Sequence, residues 1–510
     1  MAGALIKRHD AMTELEFQSL AREGYNRIAL VSEAFADLET PLSLYLKLAH
    51  PAQGGRNTFL LESVVGGERF GRYSFIGLAA RTELRVKDGV TRILHDGVEV
   101  ERSEQPPLDF IESYYQRFKV ALPAGMPRFC GGLAGYFGYD AARYIEPRLM
   151  ASGRRHPKPD PLGLPDILLL LSEELAVIDN LSGRLYLIVY ADPTQPEAFT
   201  RARSRLRTLR EQLRFSVTAP AMARSTVTPT EREFDKVDYI SAVERAKDYI
   251  AAGDFMQVQV GQRLRKRYTE SPLSLYRALR SLNPSPYMIY FNFGDFQVAA
   301  SSPEILVRQE AVTEGRKITI RPLAGTRPRG ATLEDDARQE RELLSDPKER
   351  AEHLMLIDLA RNDLGRIATT GSVQVTEAFA IERYSHVMHI VSNVEALLKP
   401  GLSAMDVLRA SFPAGTLSGA PKIRAMEVID ELEPTRRGLY GGAIGYWSFA
   451  GDMDVAIAIR TGIVKDNWLY VQAAAGVVAD SVPEMEWRET EAKARAVLRA
   501  AEQVQEGLDG

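Results

Sequence analysis

Cysteine is nearly absent: Cys130 is the only one in 510 residues, which excludes an internal disulfide framework and a multi-cysteine metal site. Its apolar, glycine-rich surroundings read as those of a buried structural thiol. Long apolar runs are also missing. None approaches the roughly 18 residues needed to span a membrane, and the N-terminus lacks the apolar stretch of a signal peptide. No membrane partner and a cytoplasmic location are therefore expected. There is no excess of positive charge either. A formal net charge of −4 leaves no electrostatic footprint for nucleic acid. What the chain does have is length and an apolar content of 45%, sufficient for a large core and two or three domain-sized units.

Residues 1–11 are polar and irregular and read as a leader or a disordered segment, whereas Thr13-Glu-Leu-Glu-Phe17 reads as a helix start. From there to about Tyr190 the chain alternates β-rich runs with turns, including Thr58–Leu61, Thr82–Val86, Ile167–Leu171 and a hairpin over Glu174–Tyr190. Residues 197–213 look helical and polar, and 216–230, rich in Ala, Pro, Ser and Thr, form a linker. Helices are expected over 238–252, from Asp346-Pro347 to Ala360, and from Ser481-Val-Pro-Glu484 to about Gln503. Strands are expected at Val455–Arg460 and Trp468–Gln472. Gly131-Gly-Leu-Ala-Gly-Tyr-Phe137 and Gly441-Gly-Ala-Ile-Gly-Tyr-Trp447 share one pattern. They read as equivalent, closely packed strands, although one duplicated segment does not establish a repeat fold.

Several residue types point to chemistry. The stretch Gly415-Thr-Leu-Ser-Gly-Ala-Pro-Lys422 sets a glycine turn before a proline-started helix, an arrangement able to cradle an anion. Its spacing misses the nucleotide-binding pattern. Glu352 shares an apolar helix face with Met355, Leu356 and Leu359, and Glu489 lies one turn from Met485 and Lys493. Two inward carboxylates of this kind either form buried salt bridges or hold a hard divalent cation. Arg460 ends an otherwise uncharged run, and a buried guanidinium there needs an anion. His389 lies in a β-rich run, where a satisfied core histidine and an acid–base group are both open readings.

Taken together, Leu60-Leu-Glu-Ser63, Asn283-Pro-Ser-Pro-Tyr-Met288, Arg321-Pro-Leu-Ala-Gly-Thr326, Ala351-Glu-His-Leu-Met355, Arg361-Asn-Asp-Leu-Gly365, Gly415 to Lys422, Ile457-Ala-Ile-Arg-Thr461 and Ala479-Asp-Ser481 resemble the chorismate-utilising enzymes, and within them the anthranilate-forming branch. The resemblance spans about Phe17 to Leu498. It implies an α+β fold of antiparallel sheets flanked by helices, with an N-terminal tryptophan-sensing region at 12–215 and a C-terminal catalytic region at 231–505. It also implies Mg²⁺ on Glu352 and Glu489, and chorismate contacts at Gly325, Thr326, Thr416, Tyr440, Arg460, Ala474, Ala475, Gly476 and Lys493. His389 matches the family's proton-transfer histidine, and Ser63, Pro286, Tyr287 and Met288 match its tryptophan-binding elements. The implied activity converts chorismate and ammonia to anthranilate and pyruvate, the first step of tryptophan biosynthesis, under feedback by L-tryptophan. Gln257 and Ala324 stand where water-adding and para-amino-forming relatives carry lysines, which disfavours aminodeoxychorismate synthesis. A catalytically silent tryptophan sensor would have no need of the metal carboxylates. The chain offers no room for a glutaminase, so ammonia is expected free or from a separate glutamine amidotransferase subunit in a hetero-oligomer. The segment Val258-Gln-Val-Gly-Gln-Arg263 departs from the family's usual pattern, and a local change without loss of activity is expected there.

Overall fold

The computed structural model describes residues 12–50, 55–64, 71–151, 158–217, 220, 225–384 and 387–508. The expected leader at 1–11 and part of the expected linker, at 218, 219 and 221–224, lie outside the described residues.

β-Branched and aromatic residues in alternating runs form two large sheets, one of 13 strands and one of 12. All pairings among the described residues are antiparallel except a short parallel contact of Arg27–Phe35 with Val120–Ala121. The sheets pack face to face over an aromatic-rich layer that includes Phe59, Phe129, Tyr136, Phe291, Phe293 and Tyr446. Helices cover both outer faces, giving two further apolar layers. This is the expected α+β architecture of antiparallel sheets flanked by helices.

Neither sheet is confined to one half of the chain. In the first, the residues before the linker contribute, from the centre outward, Thr58–Glu62, Tyr73–Gly77, Glu174–Asp179, Arg184–Ala191 and Arg27–Phe35. Those after it contribute Tyr287–Asn292, Gln297–Ser302, Thr461–Lys465, Trp468–Val477 and Gln257–Arg267 in the matching order. The second sheet repeats the relation, with Gly132–Phe137, Ile167–Ser172, Thr82–Lys87, Val90–His95 and Val98–Ser103 on one side. The other side has Ala443–Ser448, Met453–Ile457, Ile305–Val312, Gly315–Ile320 and Val387–Leu397. The chain therefore follows one path twice, about an approximate two-fold through the pairs Leu60–Tyr290 and Gly135–Gly445. The two glycine motifs read from the sequence are those central strands, and they pair with each other. A Cβ on Gly135 would lie 2.0 Å from the Leu168 carbonyl oxygen, and one on Gly445 2.2 Å from that of Asp454, so only glycine allows the backbones to approach this closely.

The halves differ by an insertion. Where the first half turns directly from Val90–His95 to Val98–Ser103, the second inserts strand Leu323–Pro328, helices Leu333–Ser345 and Pro347–Gly365, and strand Gln374–Arg383. Helix Pro347–Gly365 starts as expected, with Asp346 accepting from the Lys348 and Glu349 amides and Pro347 in the first turn. The final helix lies where expected, at Pro483–Glu506, but without the expected side-chain cap, because the Ser481 hydroxyl accepts instead from the Val478 amide. No helix among the described residues is long and apolar enough to cross a membrane. Cys130 is free and buried as expected, and burial pushes its thiol up to about 12.

Candidate active site

The insertion and the end of the second repeat enclose one site. Strand Leu323–Pro328 carries a register shift between Ala324 and Thr326, with Gly325 at φ +65°. That bulge aims the Gly325 carbonyl at the facing strand, where it accepts from His389 Nδ1 at 2.9 Å. Thr326 Oγ1 lies 3.0 Å from the same nitrogen. Burial, with Arg460 nearby, lowers His389 to about 4, so the ring is neutral at physiological pH and a proton on Nδ1 leaves its lone pair on Nε2.

Arg460 acts on both His389 and a residue that sequence reasoning missed. Glu304 occupies the turn between Gln297–Ser302 and Ile305–Val312, is buried, and accepts a hydrogen bond from Thr416 Oγ1 at 3.0 Å. Burial raises its carboxyl to about 8, against opposing pulls from Thr416, Lys493 and Arg460, so it is largely protonated at neutral pH. The available signal was a lone acid between two apolar strands. Thr416 itself lies in the short 3-10 turn Gly415–Leu417. A Cβ on Gly415 would come 1.8 Å from Leu359 Cδ2, so glycine lets this loop rest on helix Pro347–Gly365. The loop is not an open cradle at a helix start: Gly419–Ala420 pairs with Gln257–Val258, and the helix begins only at Lys422. The sheet edge takes up part of the loop backbone.

Arg460 does not end a strand, since the strand stops at Ile457 and Arg460 adopts φ +49°. A non-glycine residue held in that conformation is characteristic of functional sites. Among the described residues no carboxylate is ion-paired with it. Desolvation lowers its pKa, offset in part by Tyr384 and Glu304. Tyr440 is buried with its hydroxyl beside the Ala474 backbone. Lys493 Nζ donates to the Ala474 carbonyl at 2.9 Å. Ala474, Ala475 and Gly476 pair with Gly261, Val260 and Gln259 across the sheet.

The two carboxylates read as metal ligands stand at the mouth. Glu352 Oε1 accepts from Gln257 Nε2 at 3.2 Å, and a Cβ on Gly476 would lie 2.8 Å from that same nitrogen. Glu489 is not inward-pointing: its side chain is 46% exposed and pairs with Lys493 on its own helix at 2.7 Å, because Trp487, Thr490 and Ala494 form the buried stripe. Neither residue makes the buried inter-element salt bridge that was the alternative. Each has a carboxylate one turn away: burial, with Glu352 adding, raises Glu349, and burial, with Glu489 adding, raises Glu486. No group of three or more metal-ligating side chains occurs among the described residues. Two carboxylates with oxygen donors only fit Mg²⁺, which keeps waters and substrate oxygens in its shell.

A second cavity lies between the sheets at one end of the pair Thr58–Glu62 and Tyr287–Asn292, and Ser63, Pro286, Tyr287 and Met288 all line it. Tyr287 donates to Asp454 Oδ1 at 3.0 Å, and Arg308 Nε donates to Asp454 Oδ2 at 2.9 Å. The Tyr446 hydroxyl, buried at the cavity wall, has no hydrogen-bond partner among the described residues. Its counterpart in the first repeat, Tyr136, donates to the Pro165 carbonyl at 2.9 Å and packs against Phe293 and Phe296 at 5.7 and 6.3 Å. Tyr446 is likewise packed by the chain's own rings, stacked on Phe129 at 4.3 Å and edge-on to Phe75 at 5.5 Å, so the two tyrosines differ at the hydroxyl and not at the ring.

A family model described as chorismate binding enzyme matches residues 57–499. The anthranilate synthase component 1 of Neisseria meningitidis is 57% identical over 498 residues, covering 98% of this chain and 100% of that protein. The component 1 of Aquifex aeolicus is 47% identical, with 96% and 97% covered. Among solved structures, anthranilate synthase component I from Streptococcus pneumoniae superposes with TM-score 0.75 at 35% identity, covering 91% of this chain and 99% of that one. Match length and identity agree across these comparisons, and the chain belongs to the chorismate binding enzyme family.

Proposed function

We propose that this protein forms anthranilate and pyruvate from chorismate and ammonia, with Mg²⁺ on Glu352 and Glu489, and that L-tryptophan binds the second cavity as feedback inhibitor. The observation carrying the reading is a single site that joins an unpaired guanidinium, a neutral histidine and a protonated buried acid with two carboxylates, one half-buried and one exposed. Chorismate is a dianion that must lose a hydroxyl, and each of these groups has a task toward it. Arg460 and Lys493 offset the ligand's charge, with backbone from Gly325–Thr326 and Ala474–Gly476 orienting it. Bound Mg²⁺ would supply a template and Lewis acid for the ring carboxylate. Ammonia nitrogen bonds to ring C2 while the C4 hydroxyl leaves as water, taking the proton of Glu304, which Thr416 holds in place. The new C–N centre then loses a proton, and pyruvate is eliminated with loss of the C2 hydrogen; neutral His389 serves proton transfer through Nε2. The naming of the relatives as a component 1 supports a separate amidotransferase subunit as the source of ammonia. For tryptophan, support comes from an aromatic-lined cavity at which one buried hydroxyl is unsatisfied among the described residues.

The test is anthranilate fluorescence from chorismate with ammonium and Mg²⁺ at mildly alkaline pH, repeated with EDTA and with tryptophan. Metal-dependent product that tryptophan suppresses is expected. A different chorismate product, or none, would reject the activity, and product insensitive to tryptophan would reject the inhibitor.

A further inference from the structure

The fully buried ion pair between Glu433 and Arg437 lies outside the site, yet three of its hydrogen bonds end on backbone segments that line it. Arg437 Nη1 donates to the Leu417 carbonyl at 2.6 Å, next to Thr416. Arg437 Nη2 donates to the Gln259 carbonyl at 3.0 Å. Glu433 Oε1 accepts from the Gly261 amide at 2.8 Å, and Gln259 and Gly261 are the residues paired with Gly476 and Ala474. The guanidinium is forked onto Glu433 at 2.6 and 2.9 Å and lies 4.5 Å from the Tyr139 ring and 5.8 Å from that of Tyr440. Side-chain exposure of 1% and 2% leaves no room for water to substitute. The arrangement also explains the unusual glycine in Val258–Arg263: a Cβ on Gly261 would stand 3.0 Å from Glu433 Oε1.

We propose that Glu433 and Arg437 are positioning residues for the reaction: one dehydrated pair sets the distance between the Thr416 loop and the strands carrying Ala474–Gly476, beside Tyr440. The proposal rests on the reaction proposed above. Neither residue touches the reacting atoms. Their effect runs through placement, for which a misfit of about 1 Å costs on the order of 100-fold in rate. A lysine at 437 keeps the charge but loses the planar fork, so it cannot hold Leu417, Gln259 and Glu433 together.

The test compares Arg437→Lys and the apolar double variant Glu433→Leu/Arg437→Met with the parent, since replacing both members of a buried pair often preserves stability. Folding is checked by thermal melting, followed by steady-state kinetics across pH and amide exchange by mass spectrometry. In folded variants kcat is expected to fall by about 100-fold, by more than the KM for chorismate rises. The alkaline limb of kcat should move to higher pH, because a displaced Thr416 no longer lowers the Glu304 carboxyl. Exchange should rise at 257–261 and 415–421. A folded variant with parental kcat, pH limb and exchange would overturn the proposal. A parent that makes no anthranilate would reject the reaction reading alone, and the exchange data would still decide whether the pair holds these segments.

Discussion

Glu304 combines the site's chemistry with a cost to the fold. Its carboxyl is raised from 4.5 to about 8. Below pH 4.5 folded and unfolded chains both carry the proton, and between 4.5 and about 8 only the folded chain does, so this residue lowers stability as pH rises through that window. Glu304→Gln should therefore melt higher than the parent at pH 8 and equally at pH 4. Its kcat should fall by about 10² to 10⁴, as expected for loss of a general acid. Thermal melts at the two pH values and anthranilate kinetics check both. The parent's kcat should decline above about pH 8 as the acid ionises. Tyr446→Phe offers a second test at this scale. Removing a buried hydroxyl without a partner among the described residues should leave the ligand-free protein as stable or more so, and should weaken tryptophan inhibition by roughly tenfold if that hydroxyl bonds the ligand. Melting and inhibition curves would show an unchanged inhibition constant if it does not.

Among the elements, those with a local cause were legible. The cap at Asp346, the hairpin at Glu174–Ala191 and both glycine strands follow from short-range pattern. The last helix starts within the expected Ser481–Glu484 stretch, but Ser481 does not cap it because its hydroxyl accepts from the Val478 amide, which spacing cannot reveal. Arg460 was read as a strand end, yet its left-handed backbone is imposed by neighbouring elements. The central glycines carry the heaviest packing demand. Gly445→Ala would drive a Cβ to 2.2 Å from the Asp454 carbonyl, with backbone on the receiving side. A loss of at least about 1–3 kcal/mol is expected, measurable as a lower urea midpoint at unchanged slope. The same strand lines the second cavity, so tryptophan inhibition should weaken with it.

For the whole molecule, the linker divides sequence more than structure, because both sheets cross it. A ligand in the second cavity touches Ser63 from one repeat and Tyr287 from the other, which gives inhibitor binding a direct hold on how the repeats meet. Ser63→Phe should relieve tryptophan inhibition while kcat and chorismate KM stay near parental values, and equal sensitivity of variant and parent would sink the idea. By itself the sequence determined the class of fold, the family and the short motifs that meet at the site, because caps, turn glycines and strand periodicity act over a few residues. Only the tertiary structure decided that the chain traces one path twice, that Glu304 and Thr416 face each other, that Glu489 stands at an exposed mouth, and that among the described residues Tyr446 lacks the partner Tyr136 has. The double path and the Glu304–Thr416 contact depend on residues more than a hundred positions apart, and burial set by such contacts, not residue type, fixes the protonation of the acid and the histidine.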